Sequence, residues 1–186
     1  LGKKDVSPDL VHALRTTLAE AIAVGHAILK EGGSSQEAVE KTIHVLENSP
    51  LFNAGKGAVL TAQGHASLDA SFMDGKTLNA GAISGVSHIK NPISTAIAVM
   101  EKSPHVMLSG QGADQFAKSL GMETVPNSYF ITERRQKALK RVQEREKKAV
   151  SFYDPFIKDS KFGTVGCVAL DKAGNLAVGT STGGMT

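Results

Sequence analysis

Gly163-Thr164-Val165-Gly166-Cys167-Val168-Ala169-Leu170-Asp171 is the stretch on which the interpretation of this chain turns. The apolar, β-rich run from Val165 to Leu170 is short enough to be a buried strand, and the turn residues Asp171-Lys172-Ala173-Gly174-Asn175 close it. Leu176 to Thr180 forms a second strand, which ends in Ser181-Thr182-Gly183-Gly184. If the Gly163–Thr164 bond breaks, Thr164 becomes an amino-terminal residue at the head of a core strand. It then carries a hydroxyl nucleophile and its own amine as base. An unperturbed α-amino group has a pKa of about 7.7–8.0, so a useful fraction is neutral near pH 7. A Gly-Thr pair ahead of a strand is ordinarily just a loop meeting a strand, so the weight of interpretation falls on the residues upstream.

At 186 residues the chain is one domain or slightly more, long enough for a substantial core. Its apolar fraction of 41% and charged fraction of 21% are ordinary for a globular protein. No run approaches the roughly eighteen apolar residues of a membrane helix, and the first residues do not form a signal peptide, so a cytoplasmic protein without membrane partners is expected. The first residue is Leu1, not Met. The single cysteine, Cys167, excludes an intrachain disulfide and reads as a small core residue. The net charge of +3, the absence of Trp and the scarcity of aromatics argue against a base-stacking nucleic-acid platform.

Ser7-Pro8-Asp9 reads as a helix start, and Leu10, Val11, Leu14, Leu18, Ile22 and Leu29 recur at helical spacing up to Lys30. Ser34 with Glu37 forms a capping box for a second helix with a buried stripe of Ala38, Val39, Thr42, Ile43 and Leu46. His12, His26 and His44 on these helices read as solvated or satisfied imidazoles. After the break at Ser49-Pro50, a loop of small residues with two glycines is able to turn several carbonyls inward toward a hard cation; from the residues alone it reads first as a plain helix-to-strand connection. Lys56 does not mark a phosphate loop, since no G-x-x-x-x-G-K-[ST] is present. Ala58–Thr61 and Ser67–Met73 are expected to form a hairpin, and a Gly/Ala-rich strand follows from about Asn79 to Val86. A helix from Asn91-Pro92, a short buried strand at Val106-Met107-Leu108 and a helix from Gly112 to Leu120 complete this part. From Thr132 to Lys148 eight Lys/Arg face three Glu, and with only Leu139 and Val142 to bury this helix reads as solvated. Residues 149–163 read as a linker into the Gly-Thr pair.

Six segments then fall into a pattern: LENSPLFNAGKGAV (46–59), LDASFMDG (68–75), GVSHIKNPIS (85–94), MEKSPHV (100–106), GTVGCVALD (163–171) and TSTGG (180–184). In this order and spacing the chain resembles the plant-type (type III) L-asparaginases, or isoaspartyl peptidases, of the N-terminal nucleophile hydrolase superfamily. The resemblance implies an α+β fold, a four-layer αββα sandwich, incomplete here. It implies cleavage at Gly163–Thr164, which divides the chain into an α-subunit portion (1–163) and the start of a β subunit (164–186). Thr164 is then the nucleophile, Thr182 its hydrogen-bonding partner, and Asn53 an asparagine close by. Glycine at 163 is expected to permit a tight, strained scissile unit that a Cβ would hinder.

The resemblance further implies a structural sodium (or potassium) ion on the backbone carbonyls of Leu46, Glu47, Ser49, Phe52, Ala54 and Lys56. The Glu47 carboxylate has no part in that scheme, and no organic cofactor is implied. The implied substrates are L-asparagine and β-aspartyl dipeptides, and the implied partners are the remainder of the β subunit and a second αβ heterodimer. Two departures stand against the pattern: nothing like the family's HGGAG-like loop precedes Gly2-Lys3-Lys4, and the substrate clamp and oxyanion donors fall beyond Thr186. The 186 residues alone are therefore expected to be inactive. A glycosylasparaginase-like enzyme, a threonine endopeptidase, an inactive fragment serving as a binding module, and nucleic-acid binding through 132–148 remain open alternatives.

Overall fold

The computed structural model describes residues 7–149 and 163–184. Most of the expected linker, residues 150–162, lies outside the described residues. Ser7 caps helix α1 (Pro8–Lys30) by accepting from the Leu10 N–H at 3.2 Å, and Ser34 caps α2 (Ser35–Glu47) by accepting from the Glu37 N–H at 3.1 Å. Helix α1 does not bury its large apolar residues. Ala21 and Gly25 are its buried positions, while Leu18 and Ile22 are exposed. Gly25 approaches α2 so closely that a Cβ would strike the Thr42 hydroxyl, so small residues set the helix contact.

Strands β1 (Leu68–Asp74), β2 (Ala80–Val86), β3 (Met107–Ser109), β4 (Val165–Leu170) and β5 (Leu176–Gly183) form one five-stranded sheet in the order β3-β2-β1-β5-β4. Every neighbouring pair is antiparallel except β2–β3, whose crossover contains α3 (Pro92–Lys102). Helices α2 and α3 cover one face, where Leu68, Phe72, Ile83 and Ala177 meet Val39, Ile43 and Ile93 in the core. Gly179 makes that approach possible: a Cβ there would lie 2.8 Å from Val39, 2.9 Å from Ile93 and 3.0 Å from Ile43. Gly81 does the same beneath the Ala96 carbonyl of α3.

The opposite face is open among the described residues. Val168 is 69% exposed, Leu170 58% and Leu176 51%, with Val178 and Met73 beside them. This corrects the expectation of a buried strand at 165–170. Its run is apolar on both faces, but β4 is an edge strand with only Val165, Cys167 and Ala169 turned toward the helices. The short strand at 107–109 is likewise an edge, with Met107 exposed. The hairpin expected at 58–61 shrinks to a single bridge, Leu60–Ala66, closed by the Thr61 N–H on the His65 carbonyl. Val59 has no strand partner for its N–H because the Asn53 side chain takes it at 2.7 Å.

Helices α4 (Gly110–Ser119) and α5 (Glu133–Ala149) complete the described residues. His12 and His26 are exposed. His44 sits 2.7 Å from the Ser94 hydroxyl, and burial lowers its pKa against the pull of Glu40.

The β4–β5 turn is tied to the helices. Asp171 accepts from the Ala173 and Asn175 N–H groups at 3.0 and 2.9 Å, and its second oxygen accepts from the Ser35 N–H at 3.2 Å in the first turn of α2. The Asn175 amide, with that of Ser35, holds the Asp171 carboxyl below its ordinary 3.8. A carboxyl whose folded pKa is depressed contributes stability above its ordinary value and loses it as the pH falls through the lowered one. Asp171→Ala is expected to lower the melting temperature at neutral pH, with the gap to wild type closing in strong acid. A gap that stays constant in a pH series of thermal melts would contradict this role.

Candidate active site

Pairing of Val165 with Ser181 places Thr164, one residue before β4, across from Thr182 in β5. The Thr164 hydroxyl donates to Thr182 Oγ1 at 3.2 Å, and the Thr182 hydroxyl donates in turn to the Gly183 carbonyl at 3.3 Å. Thr164 is exposed and Thr182 half-buried, so the pair opens to solvent on the uncovered side. Asn53 closes the group from the other side. Its Nδ2 donates to Thr182 Oγ1 at 3.5 Å while its Oδ1 accepts the Val59 N–H. A backbone N–H can only donate, so that bond fixes the amide with its NH₂ toward Thr182. The Asn53 carbonyl also accepts from the Gly183 N–H at 3.2 Å. Gly183 is required at this contact, since a Cβ there would stand 2.5 Å from the Ala58 Cβ and 2.6 Å from Asn53 Oδ1. The arrangement is a hydroxyl chain with directed donors, able to orient a nucleophilic oxygen.

Asp69 lies in register with Thr182 on the neighbouring strand. Its carboxylate accepts from the Ser84 hydroxyl at 2.7 Å and the Gly85 N–H at 2.9 Å, where the β1–β2 register shifts. It thereby fixes the irregularity beside the hydroxyl pair. Gly163 is exposed, its φ lies outside the left-handed region, and a Cβ built on it meets nothing within 4 Å among the described residues.

The loop after α2 winds tightly. Gly55 has φ +48°, and a Cβ on it would collide with the Glu47 carbonyl; one on Gly57 would collide with the Phe52 carbonyl and lie 2.8 Å from that of Pro50. Carbonyls of Glu47 and Phe52, both in the expected ion set, thus face a cradle only glycine leaves open. The carbonyls of Pro50, Leu51 and Gly57 are taken by arginines: Arg134 donates to the first two at 3.2 and 2.7 Å, and Arg135 Nε to the third at 2.6 Å. None of these three belongs to the expected ion set.

The Glu47 side chain, idle in the sequence-based scheme, is fully buried. One oxygen accepts from the Ile93 N–H at 2.9 Å, capping α3, whose own Asn91 makes no such bond; the other accepts from Asn91 Nδ2 at 3.0 Å. Burial pushes its pKa up to about 7, against the pull of Asn91, Ser181 and Ile93. Ser181 Oγ faces this carboxyl without reaching good hydrogen-bond geometry, and it has no partner among the described residues. Glu47 thus joins the end of α2 to the start of α3. Periodicity places Leu46 and Glu47 on a helix end but gives no sign that a carboxylate there turns inward. Arg134 and Arg135 were equally hidden, inside a charge run that reads as solvated.

With this geometry in view, the comparisons with known proteins are consistent. The model of the asparaginase family matches residues 2–186, so the chain belongs to that family. The isoaspartyl peptidase/L-asparaginase of Mus musculus is 48% identical over 184 residues, 99% of this chain and 55% of that protein. The protein of the same name from Homo sapiens is 45% identical over 99% of this chain and 58% of its own length. The isoaspartyl peptidase of Salmonella typhimurium is 46% identical over 91% of this chain and 54% of its own. The chain therefore spans just over half the length of these curated relatives.

Replacing Glu47 with Ala leaves the buried Ile93 N–H unpaired, at a cost of about 1–3 kcal/mol, and leaves the half-buried Asn91 amide only Asn48 Oδ1 at 3.4 Å. Glu47→Gln keeps one acceptor oxygen and is expected to lose less. Chemical denaturation of the two variants is the check, and equal stability of Glu47→Ala and wild type would remove the pillar role.

Proposed function

We propose that this chain carries the nucleophile of a self-processing amidohydrolase acting on L-asparagine and β-aspartyl dipeptides, with Thr164 as the attacking residue. The single observation that supports this most directly is the Thr164–Thr182 hydroxyl pair at 3.2 Å with the Asn53 amide directed onto it. Family membership and the names of the relatives support the substrate class.

In processing, Thr164 Oγ attacks the Gly163 carbonyl carbon and the peptide C–N bond breaks with the nitrogen taking the hydroxyl proton. Water then hydrolyses the resulting ester and frees the Thr164 amine. In turnover that amine accepts the Oγ proton as Oγ attacks the substrate carbonyl. Ammonia or an amino acid departs with the proton, and water releases aspartate. Thr182 holds the attacking oxygen in place in both steps, and intramolecular placement of this kind supplies about 7–11 kcal/mol of barrier lowering.

The carbonyls of Leu46, Glu47, Ser49, Phe52, Ala54 and Lys56 would hold a sodium or potassium ion, which when bound supplies charge to oppose converging carbonyl dipoles and stiffens the loop under Asn53. The open apolar sheet face supports a second sheet packed against it, giving the four-layer αββα sandwich.

In the longest natural form of the chain, the smaller product of self-cleavage is expected to begin Thr-Val-Gly-Cys. Thr164→Ala should abolish both cleavage and ammonia release from L-asparagine, and Thr164→Ser should retain part of each. Turnover that persists in Thr164→Ala would refute the nucleophile. For the loop, Gly55→Val is expected to lower the melting temperature and its response to sodium chloride relative to potassium-free, sodium-free buffer. Identical melts for Gly55→Val and wild type in sodium would count against the ion site.

A further inference from the structure

The geometry points to Arg134 and Arg135 as a positioning clamp for the active-site loop, acting through Asn53 on the Thr164–Thr182 hydroxyl pair. The inference rests on the function proposed above and adds two residues to its machinery. The two arginines are adjacent in the first turn of α5, yet they grip opposite limbs of one loop. Arg134 Nη2 donates to the carbonyls of Pro50 and Leu51 where the loop departs from α2, and Arg135 Nε donates to Gly57 where it returns. Asn53 lies between these anchor points.

The route onward is short. Two residues past the Gly57 carbonyl, the Val59 N–H fixes Asn53 Oδ1 at 2.7 Å, and this bond turns Asn53 Nδ2 to Thr182 Oγ1. Thr182 Oγ1 in turn receives the Thr164 hydroxyl. A shift of the returning limb is thus transmitted to the donor that orients the nucleophile's partner. The segment just ahead of α5 adds to the grip, for the Lys56 ammonium lies 5.4 Å from the Tyr129 ring centroid.

The placement is electrostatically adverse in two respects. Cations in the first turn of a helix oppose its dipole. Arg135 is also only 7% exposed, and burial with its Arg134 neighbour lowers its pKa to about 10, still charged at neutrality. Charge-assisted bonds to backbone oxygens offset such costs. The three carbonyls the arginines reach, of Pro50, Leu51 and Gly57, lie outside the expected ion set. Thr132 accepts the Arg135 N–H at 3.3 Å and sets the helix start from which both side chains reach.

The test uses the longest natural form of the chain, with single-turnover self-cleavage followed by gel over days and kcat and KM for L-asparagine measured on folded protein. Arg135→Met is expected to slow cleavage and lower kcat about tenfold or more, with KM within about twofold, as misplacement of a positioned group does. Arg135→Lys should recover part of the loss, and Lys140→Met, on an exposed position of the same helix, should change neither rate. In an Asn53→Ala background, Arg135→Met should add less than about twofold, because both act through one group. Wild-type rates in Arg135→Met, or full multiplication of its loss with that of Asn53→Ala, would overturn the clamp. If Arg135→Met does not fold, Arg134→Met takes its place with the same expected and overturning results. A Thr164→Ala variant that stays active would instead overturn the function on which the clamp rests; an inactive Thr164→Ala with wild-type Arg135→Met removes only the clamp.

Discussion

The register of β4 against β5 governs the site. Val165 pairs with Ser181, so the residues just beyond, Thr164 and Thr182, come together on the uncovered face. Side chains alternate between the faces of a strand, so a slip of one residue would turn Thr182 into the helix-covered core and bring Ser181 or Gly183 out in its place. Several features prevent that slip. The turn is locked by the Asp171 carboxylate on its own backbone and on α2. Gly179 admits Val39, Ile43 and Ile93 at one position along β5 only, and Gly183 admits Asn53 and Ala58 at another. Two glycines four residues apart on the same face therefore hold the strand in place as firmly as any large side chain.

The loop between Asn48 and Val59 shows how a short segment outside the long helices and strands is held in place. Its carbonyls are shared among partners with different geometry: Arg134 and Arg135 on the outside, Gly183 at Asn53, and the tight turns at Gly55 and Gly57. Glu47 anchors its start. The same residue sends its backbone carbonyl against Gly55 and its carboxylate to the amino terminus of α3, so loop and helix cannot shift independently. A buried carboxyl with a pKa raised to about 7 marks how strongly it is removed from water.

The helix starts at Ser7 and Ser34 and the turn at 171–175 are legible from local signals, because capping and turn chemistry involve residues a few positions apart. The family segments single out Asn53, Thr164 and Thr182, whose hydrogen bonds to one another only the fold shows. Burial was less legible. A strand apolar on both faces reads as buried, yet Val168 and Leu170 are exposed because composition does not state whether a second layer is present. The α1 contact through Ala21 and Gly25 was hidden beneath larger residues at equally good helical spacing. Glu47, Arg134 and Arg135 were missed for a common reason: a charged side chain defaults to solvent unless its partners, 44 to 84 residues away in the chain, are known.

The open face is divided along its length. At the end carrying Thr164, Thr182, Asp69 and Ser84 the exposed groups are hydroxyls and a carboxylate, and these are bonded to one another or to backbone. At the other end Val168, Leu170, Leu176, Val178 and Met73 present apolar surface, beside a cavity of about 260 Å³ lined by Ser71, Ala82, Val106 and Thr180. The two halves meet at Ser71 and Thr180, whose hydroxyls bond across β1 and β5 at 2.8 Å. An apolar cover would gain by packing against the second half and would gain nothing over the first, where it would strip water from groups that already hold their partners. A layer packed over the apolar half alone would end short of Thr164 and leave its hydroxyl at the rim. The Thr164 hydroxyl is tied to the core through Thr182 and Asn53 and remains open to solvent.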